Sequence, residues 1–424
     1  MSYEVYASAR GIRQSPVAEG EEPVRRNRIA VVAFATAMAL SVGVAPAVTA
    51  AAAPAQTAKY IVALNPGADP GAVAAQHQRS RGASVTHVYR HALKGYAASL
   101  TPAAATALAA DPQVAAVLPD REVRMSAQSV PPGIARVGAH ESSAAAGDGR
   151  GAVDVDIAIL DTGIDAKHRD LNVVGGVNCI QGNNSYLDLN GHGTHVAGTA
   201  AAKDNSVGVV GVAPGARLWA VRVLDANGSG LWSSIICGID WVTARAATIE
   251  VANMSLGGGG GEGSCTDKGL REAICRSTAA GVTYVVSAGN AASNAASFVP
   301  ATFDEVITVS AITDFDGKPG GAGTPTCQIG FDDTLANFSN YGPDVDLAAP
   351  GVCVMSTWRG GGYRSISGTS MASPHVAGAA ALYLSTHPDA TPSHVRTVLR
   401  DAGTTDWVGD PDATQEPLLN VSTL

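Results

Sequence analysis

Gly368-Thr369-Ser370-Met371-Ala372-Ser373-Pro374-His375-Val376-Ala377-Gly378 reads as a tight turn entering a buried helix. Gly368 permits a turn that bulkier residues resist. The small and apolar residues after Ser370, through Ala379, Ala380, Ala381 and Leu382, suit a helix packed on all sides. Pro374 is expected where the helix has just begun, since a proline deeper inside removes a backbone donor. Unpaired N–H groups converge at a helix start, so Ser370 stands where charge developing on a bound carbonyl oxygen could be stabilised. An isolated serine before an apolar helix is more often a cap than a nucleophile. The rest of the chain has to decide between the two.

At 424 residues the chain is too long for one small core, and two domains after a targeting segment are expected. With 15% charged residues, 46% hydrophobic residues and 48 glycines, it resembles a turn-rich globular enzyme, not a disordered or coiled-coil protein. A net charge of −9 argues against nucleic acid as a partner, because no basic surface is available to neutralise phosphates. The basic run Arg25-Arg26-Asn27-Arg28 precedes an apolar stretch from Ile29 to about Val48 and then small residues, the three-part pattern of a secretory signal. Residues 1–53 are therefore read as a signal peptide. The protein is expected outside the cell and at the membrane only through that signal, although a run this long could also anchor.

From Lys59 to about Val123 the pattern is strand, helix, strand, strand, helix, strand, opening with Tyr60 to Leu64 and closing with Val114 to Leu118. This predicts a small α+β, ferredoxin-like unit over 54–126. Its helices are expected at Pro70 to Arg81 and Pro102 to Ala110, with Gly82 as a stop. His77, His87 and His91 are spread out and read as surface or core histidines. From residue 127 to 424 the chain is richer in glycine and alternates β-rich and helical runs, the pattern of a doubly wound parallel α/β sheet. Strands are expected at Val155 to Leu160, Leu218 to Val223, Ile249 to Met254, Thr283 to Ser287 and Val306 to Val309. Chemistry in such sheets lies beyond the carboxyl ends of the strands.

That rule selects Asp161, at the end of the first of these strands in Asp161-Thr162-Gly163-Ile164-Asp165. Farther on, Gly191-His192-Gly193-Thr194-His195-Val196-Ala197-Gly198 reads as a turn into a second buried helix. A histidine acting as general base needs a carboxylate to fix its tautomer and stabilise the imidazolium. His195, inside the helix, reads as a packed structural histidine. These two motifs and Gly368-Thr369-Ser370-Met371-Ala372-Ser373-Pro374, in the order Asp, His, Ser, resemble the signature of the subtilisin-like serine proteases.

The resemblance implies that Ser370 attacks the scissile carbonyl, His192 moves the proton and Asp161 orients His192, with peptide hydrolysis passing through an acyl-enzyme. Asn290, at the end of the strand beginning at Val282, matches the family's oxyanion-hole side chain. Ser255, Leu256, Gly257 and Gly258 resemble the edge that pairs with an extended substrate. Gly259-Gly260-Gly261 read as flexible loop. Pro300 falls near the family's specificity pocket and could follow a cis bond. The loop from Lys203 to Val209 matches the family's calcium loop. Structural Ca2+ is accordingly expected on Gln128, Asp170, the Asn205 side chain and the carbonyls of Lys203, Val207 and Val209. A second cation site is considered at Asp346 with the carbonyls of Asp304 and Val306.

All six cysteines follow residue 127, which suggests three disulfides in an exported domain. Fifteen pairings are formally possible. Neighbours in sequence are expected to join, Cys179 with Cys237, Cys265 with Cys275 and Cys327 with Cys353, although only the middle, short loop has local support. Ala127-Gln128-Ser129-Val130-Pro131 resembles the start of mature subtilisins, and the preceding unit their inhibitory propeptide, so self-cleavage after Ser126 is expected. The chain is thus read as a broad-specificity endopeptidase, expected to be monomeric, acting on proteins and peptides and inhibited by its own propeptide. An esterase using the same triad and a catalytically silent binding relative remain as alternatives. The strand-pairing glycines favour peptides, and the filled catalytic positions favour catalysis.

Overall fold

A computed structural model of the protein describes residues 57–120, 128–180, 182, 184–328, 330–412 and 414–424. The arginine-led apolar run of the expected signal, and Val123 to Ala127 around the expected cleavage, lie outside the described residues. Two compact units divide near residue 121.

In the first unit, β1 (Ala58–Leu64), α1 (Pro70–Arg81), β2 (Ser84–Tyr89), β3 (Gly95–Leu100), α2 (Pro102–Ala109) and β4 (Val114–Pro119) follow the predicted order. The sheet runs β2-β3-β1-β4, with every pairing antiparallel. Asp69 caps α1 through the Ala72 N–H at 2.8 Å, and Gly82 ends it in the left-handed conformation at φ 65°, the stop that its sequence predicts. His77 is a core histidine. It is 1% exposed, with Nδ1 2.6 Å from the Tyr96 hydroxyl and Nε2 3.2 Å from Asp111.

The second unit begins with α3 (Pro132–Arg136), β5 (Asp156–Asp161), β6 (Val173–Asn178), α4 (His192–Ala201), β7 (Arg217–Arg222) and α5 (Trp232–Thr243). It continues through β8 (Val251–Met254), β9 (Gly258–Gly259), α6 (Leu270–Ala279), β10 (Thr283–Ser287), β11 (Phe298–Val299), β12 (Ile307–Thr313) and β13 (Thr334–Leu335). β14 (Leu347–Pro350), β15 (Val354–Trp358), β16 (Gly362–Ile366), α7 (Thr369–Thr386) and α8 (Pro392–Asp401) complete it. The large sheet is ordered β13-β12-β10-β8-β5-β7-β6, with β14 also on β12. It is parallel apart from the short β13. The chain leaves β5 outward to β6, returns through β7, and then crosses to β8 on the other side. The carboxyl end of β5 therefore lies at the switch in strand order, where open α/β sheets hold their ligands.

Alternation along the strands explains the two layers. Ile157, Ile159, Leu218, Ala220, Val285 and Val309 point into one core with α4 and α7, whereas Ala158, Leu160, Val221, Met254 and Val286 point into a second with α5. α7 is buried from Met371 to Leu384, in keeping with its apolar sequence. Pro374 departs from expectation, because it lies in the second turn of α7 and not at its start. The helix tolerates it because the carbonyl its missing N–H would have served, that of Ser370, accepts the Ser255 hydroxyl instead at 2.8 Å.

Candidate active site

β5 is buried at every residue, so its last side chain is rigidly held. Asp161 has no exposure, and its Oδ1 accepts from the Thr162 N–H at 2.7 Å. Both Asp161 oxygens face Nδ1 of His192, the first residue of α4, at 2.8 and 2.9 Å, so Nδ1 carries the proton and Nε2 is left to accept one. The approach needs glycine at two places. Gly191 turns the chain at φ 117° with Trp358 against it, and a Cβ on Gly193 would strike the carbonyl of Gly163. Burial disfavours charge on His192, but the Asp161 carboxylate, by charge and hydrogen bond, together with Asp188, holds its pKa above the ordinary histidine value.

Asp188 was not singled out from sequence. One of its oxygens accepts from the Thr162 hydroxyl and the Asn190 and Gly191 N–H groups, the other from the N–H and hydroxyl of Thr194. It thereby ties the loop after β5 to the start of α4, and the only sequence signal was an aspartate just ahead of a helix.

Ser370 lies in the first turn of α7. Its hydroxyl donates to the Ser255 carbonyl at 3.2 Å and not to His192. Ser255 is locked in turn, since Asn253 Nδ2 donates to its Oγ at 2.9 Å and the Ser373 hydroxyl donates to Asn253 Oδ1 at 2.7 Å. Asn290 follows the tight turn at Gly289, φ 103°, which Asn340 pins by donating to the Ala288 carbonyl and accepting from the Ala291 N–H. The Asn290 Oδ1 accepts from both the N–H and the hydroxyl of Thr369 at 2.9 Å, which fixes the carboxamide against the start of α7.

His192, Ser370, Ser255, Leu256, Gly257 and Gly258 line one groove of about 700 Å³, with Trp232 and Ile235 farther along its wall. Among the described residues the groove lining contains no Asp, Glu, Lys or Arg. Gly257 has no room for a Cβ because the Phe298 ring lies on it. One correction concerns the next glycines: Gly259 pairs with Phe298 in the β9–β11 ladder and the Gly260 N–H bonds to Ser297 O at 3.1 Å, so neither is free loop. The Val299–Pro300 bond is cis. His195 is buried and donates Nε2–H to the carbonyls of Val354 and Arg364, and burial pushes its pKa down to about 3, as befits a structural residue.

The expected calcium ligands also converge. Asp170 is fully buried and takes Asn205 Nδ2 at 2.6 Å, while Gln128 Nε2 donates to the carbonyls of Lys203 and Val209. The Val207 N–H bonds to Asn205 Oδ1 at 2.7 Å, so Val207 belongs to the same loop network. The donor set is all oxygen apart from two carboxamides, and turning those would present oxygen there too, so the residues fit a hard cation. The second expected cation site is overturned. Arg396 Nε sits 2.9 Å from Asp346, and its Nη1 donates to the Asp304 carbonyl at 2.6 Å, so a guanidinium supplies the positive charge there. Cysteines pair as 179–237, 265–275 and 327–353.

Comparison with known proteins agrees with this architecture. A profile described as the subtilase family matches residues 153–416, and one described as peptidase inhibitor I9 matches residues 59–126. Subtilisin DY of Bacillus licheniformis is 41% identical over 298 residues, covering 70% of this chain and 98% of that protein. A thermostable alkaline protease of Halalkalibacterium halodurans is 39% identical over 362 residues, 85% of this chain and 90% of its own length. Among solved structures, a cold-adapted subtilisin-like serine proteinase superposes with a TM-score of 0.54 at 36% identity, covering 65% of this chain and 90% of that one. The chain belongs to the subtilase family: it is a subtilisin-like serine endopeptidase carrying an I9 inhibitor propeptide.

Proposed function

We propose that Ser370, His192 and Asp161 form the catalytic triad, with Asn290 Nδ2 and the Ser370 N–H as anion donors. The observation that carries this reading is the pair of short contacts from buried Asp161 to Nδ1 of His192, which leaves Nε2 as the base beside the groove that Ser370 lines. Rotation of the Ser370 side chain away from the Ser255 carbonyl brings Oγ to His192. The Oγ–C bond then forms as the proton passes to Nε2, and the carbonyl oxygen takes the negative charge toward Asn290. His192 returns the proton to the leaving amine as the C–N bond breaks. Water, deprotonated by His192, releases the acyl group from Ser370.

The edge Ser255 to Gly258 receives the substrate as an added strand. Broad specificity is supported by a groove whose described lining mixes glycines, apolar side chains and polar ones without a carboxylate, lysine or arginine. Gln128, Asp170, Asn205 and the carbonyls of Lys203, Val207 and Val209 would hold Ca2+, which when bound neutralises Asp170 and fixes the loop after α4. The protein acts as a monomer outside the cell, and its three disulfides support the extracellular part of that reading. Among the described residues no helix is long and apolar enough to cross a membrane. Domains are assigned as signal 1–53, inhibitory propeptide 54–126 and catalytic domain 127–424, with self-cleavage after Ser126.

The test compares wild type with Ser370→Ala on casein, on a short ester and on the precursor itself. Wild type should digest casein and mature in isolation, and the variant should do neither. Maturation of isolated Ser370→Ala at the same bond would exclude self-cleavage. Ester hydrolysis without casein digestion by wild type would exclude the endopeptidase reading.

A further inference from the structure

The chain between β12 and β13, residues 314–333, is an excursion whose foot is fixed by hydrogen bonds to its own aspartates. The Phe315 and Gly323 N–H groups each meet an Asp332 oxygen at 2.7 Å, and those of Gly320 and Gly321 meet Asp333 Oδ2 at 2.7 and 2.8 Å. Arg136 of α3 brings its Nε to 2.9 Å from Asp314 and 3.1 Å from Asp333. Arg136, Asp314, Asp332 and Asp333 are all buried, so freeing any one of them would strand a charge. The foot is therefore a rigid platform.

Farther along the excursion, Cys327 is joined to Cys353. Cys353 precedes β15 and Ser367 follows β16, one step beyond the last pair of that hairpin, Val354 with Ile366. A side chain closes this step: the Cys353 N–H donates to Ser367 Oγ at 3.0 Å, and Cys327 Sγ lies 4.0 Å from the same oxygen. The next residue, Gly368, donates its N–H to the Gly351 carbonyl at 2.8 Å. A Cβ on Gly351 would lie 2.9 Å from the Gly368 carbonyl, so the two backbones touch. A Cβ on Gly368 would lie 3.7 Å from both Asn290 Nδ2 and the Ser370 nitrogen, so these two donors border one space beside Gly368. A disulfide to a loose loop constrains little. This one ends on a rigid platform, and its constraint reaches Gly368.

We propose that Cys327, Cys353 and Ser367 are positioning residues, which through Gly368 hold the Ser370 N–H and Asn290 Nδ2 facing one point before substrate arrives. The inference rests on the proposed assignment of those two groups as anion donors. Donors aimed in advance need no reorganisation as charge develops, so their alignment acts on the transition state and not on substrate binding. Among the described residues lining the groove none of the three appears, and KM should accordingly be spared.

The experiment compares wild type with the double variant Cys327→Ser, Cys353→Ser and with Ser367→Ala and Ser367→Thr. Each is made as the full chain and matured, and active enzyme is counted by titration with a serine-directed sulfonyl fluoride. Rates are taken on a peptide anilide well below each Tm. The double variant and Ser367→Ala should lose kcat on the order of tenfold, less than deletion of a donor, with KM unchanged. Ser367→Thr, which keeps the hydroxyl, should retain kcat, and a second double variant, Cys265→Ser with Cys275→Ser, should match wild type. A peptide aldehyde reports the same alignment: Ser370 Oγ adds to its carbon, the proton passes to His192, and the former carbonyl oxygen becomes the oxyanion. Its affinity should fall by the factor lost in kcat. In an Asn290→Ala background, with one donor already gone, opening the Cys327–Cys353 bridge should cost less than in wild type. Ser367→Ala leaves the bridge intact and decides the matter should the double variant not fold. Unchanged kcat in the bridge and Ser367→Ala variants, an equal loss in the Cys265, Cys275 variant, or full additivity with Asn290→Ala would overturn the proposal alone. A kcat indifferent to Asn290→Ala would overturn the donor assignment and the proposal with it.

Discussion

At His192 two opposing effects meet: burial disfavours the imidazolium, and Asp161 and Asp188 favour it strongly enough to raise its pKa. A base must be neutral to act, so activity should appear as pH rises through that raised pKa. The acid limb of kcat/KM is therefore expected above the ordinary histidine value of about 6.5. Asp161→Asn removes the larger attraction and should move the limb to lower pH while reducing kcat on the order of 10⁴-fold. A limb that stays in place in Asp161→Asn would mean that another group titrates. The sequence exposed His192 and Asp161 because each opens or closes an element beside glycines. Asp188 stayed hidden because its role lies in five hydrogen bonds that only the folded loop assembles.

Among the elements, α7 shows how one misread residue leads to a compensation. Pro374 was expected at the helix start because a later proline strands a carbonyl. It lies in the second turn, and the stranded carbonyl of Ser370 is satisfied by Ser255 from 115 positions away in the chain. Removing that hydroxyl leaves the acceptor buried and unpaired, at a cost of about 1–3 kcal/mol. In the Ser370→Ala background, which excludes self-digestion, Ser255→Ala should lower the urea midpoint accordingly, with an unchanged m-value. An unaltered midpoint would show that water or another donor serves the carbonyl. The five strands expected for the large sheet and the two helices of the first unit are all present, whereas β6, the short β9, β11 and β13, and β14 to β16 carry no strong local signal. Bounds shifted by only a residue or two except for β12, which extends to Thr313 in the interior of the sheet. The Arg396 contact to Asp346 was not legible, since nothing local to Asp346 announces a guanidinium arriving from α8.

For the molecule as a whole, buried neutral histidines set a limit on acid stability. His195 and His375 are both inaccessible, and burial lowers their pKa values to about 3 and about 4. Below about pH 6.5 the unfolded chain takes up protons that these side chains refuse in the folded state. Their contribution is therefore fully present above that pH and is lost as pH falls toward the folded values. Together they should make stability fall by up to roughly 2.7 kcal/mol per pH unit in that window, two protons at about 1.36 kcal/mol each. Urea unfolding of Ser370→Ala at stepped pH measures the slope, and His375→Gln should reduce it by about half. A slope indifferent to that substitution would place the acid sensitivity elsewhere.

The sequence by itself determined which residues carry chemistry and roughly where each element runs, because short motifs encode a turn, a helix start and a periodic apolar face within a few neighbouring residues. Only the tertiary structure decided who meets whom: Asp161 with His192, Ser255 with the carbonyl beneath Pro374, and Arg396 at the site considered for a cation. Such pairings depend on desolvation and on contacts between distant segments, and adjacency along the chain specifies neither.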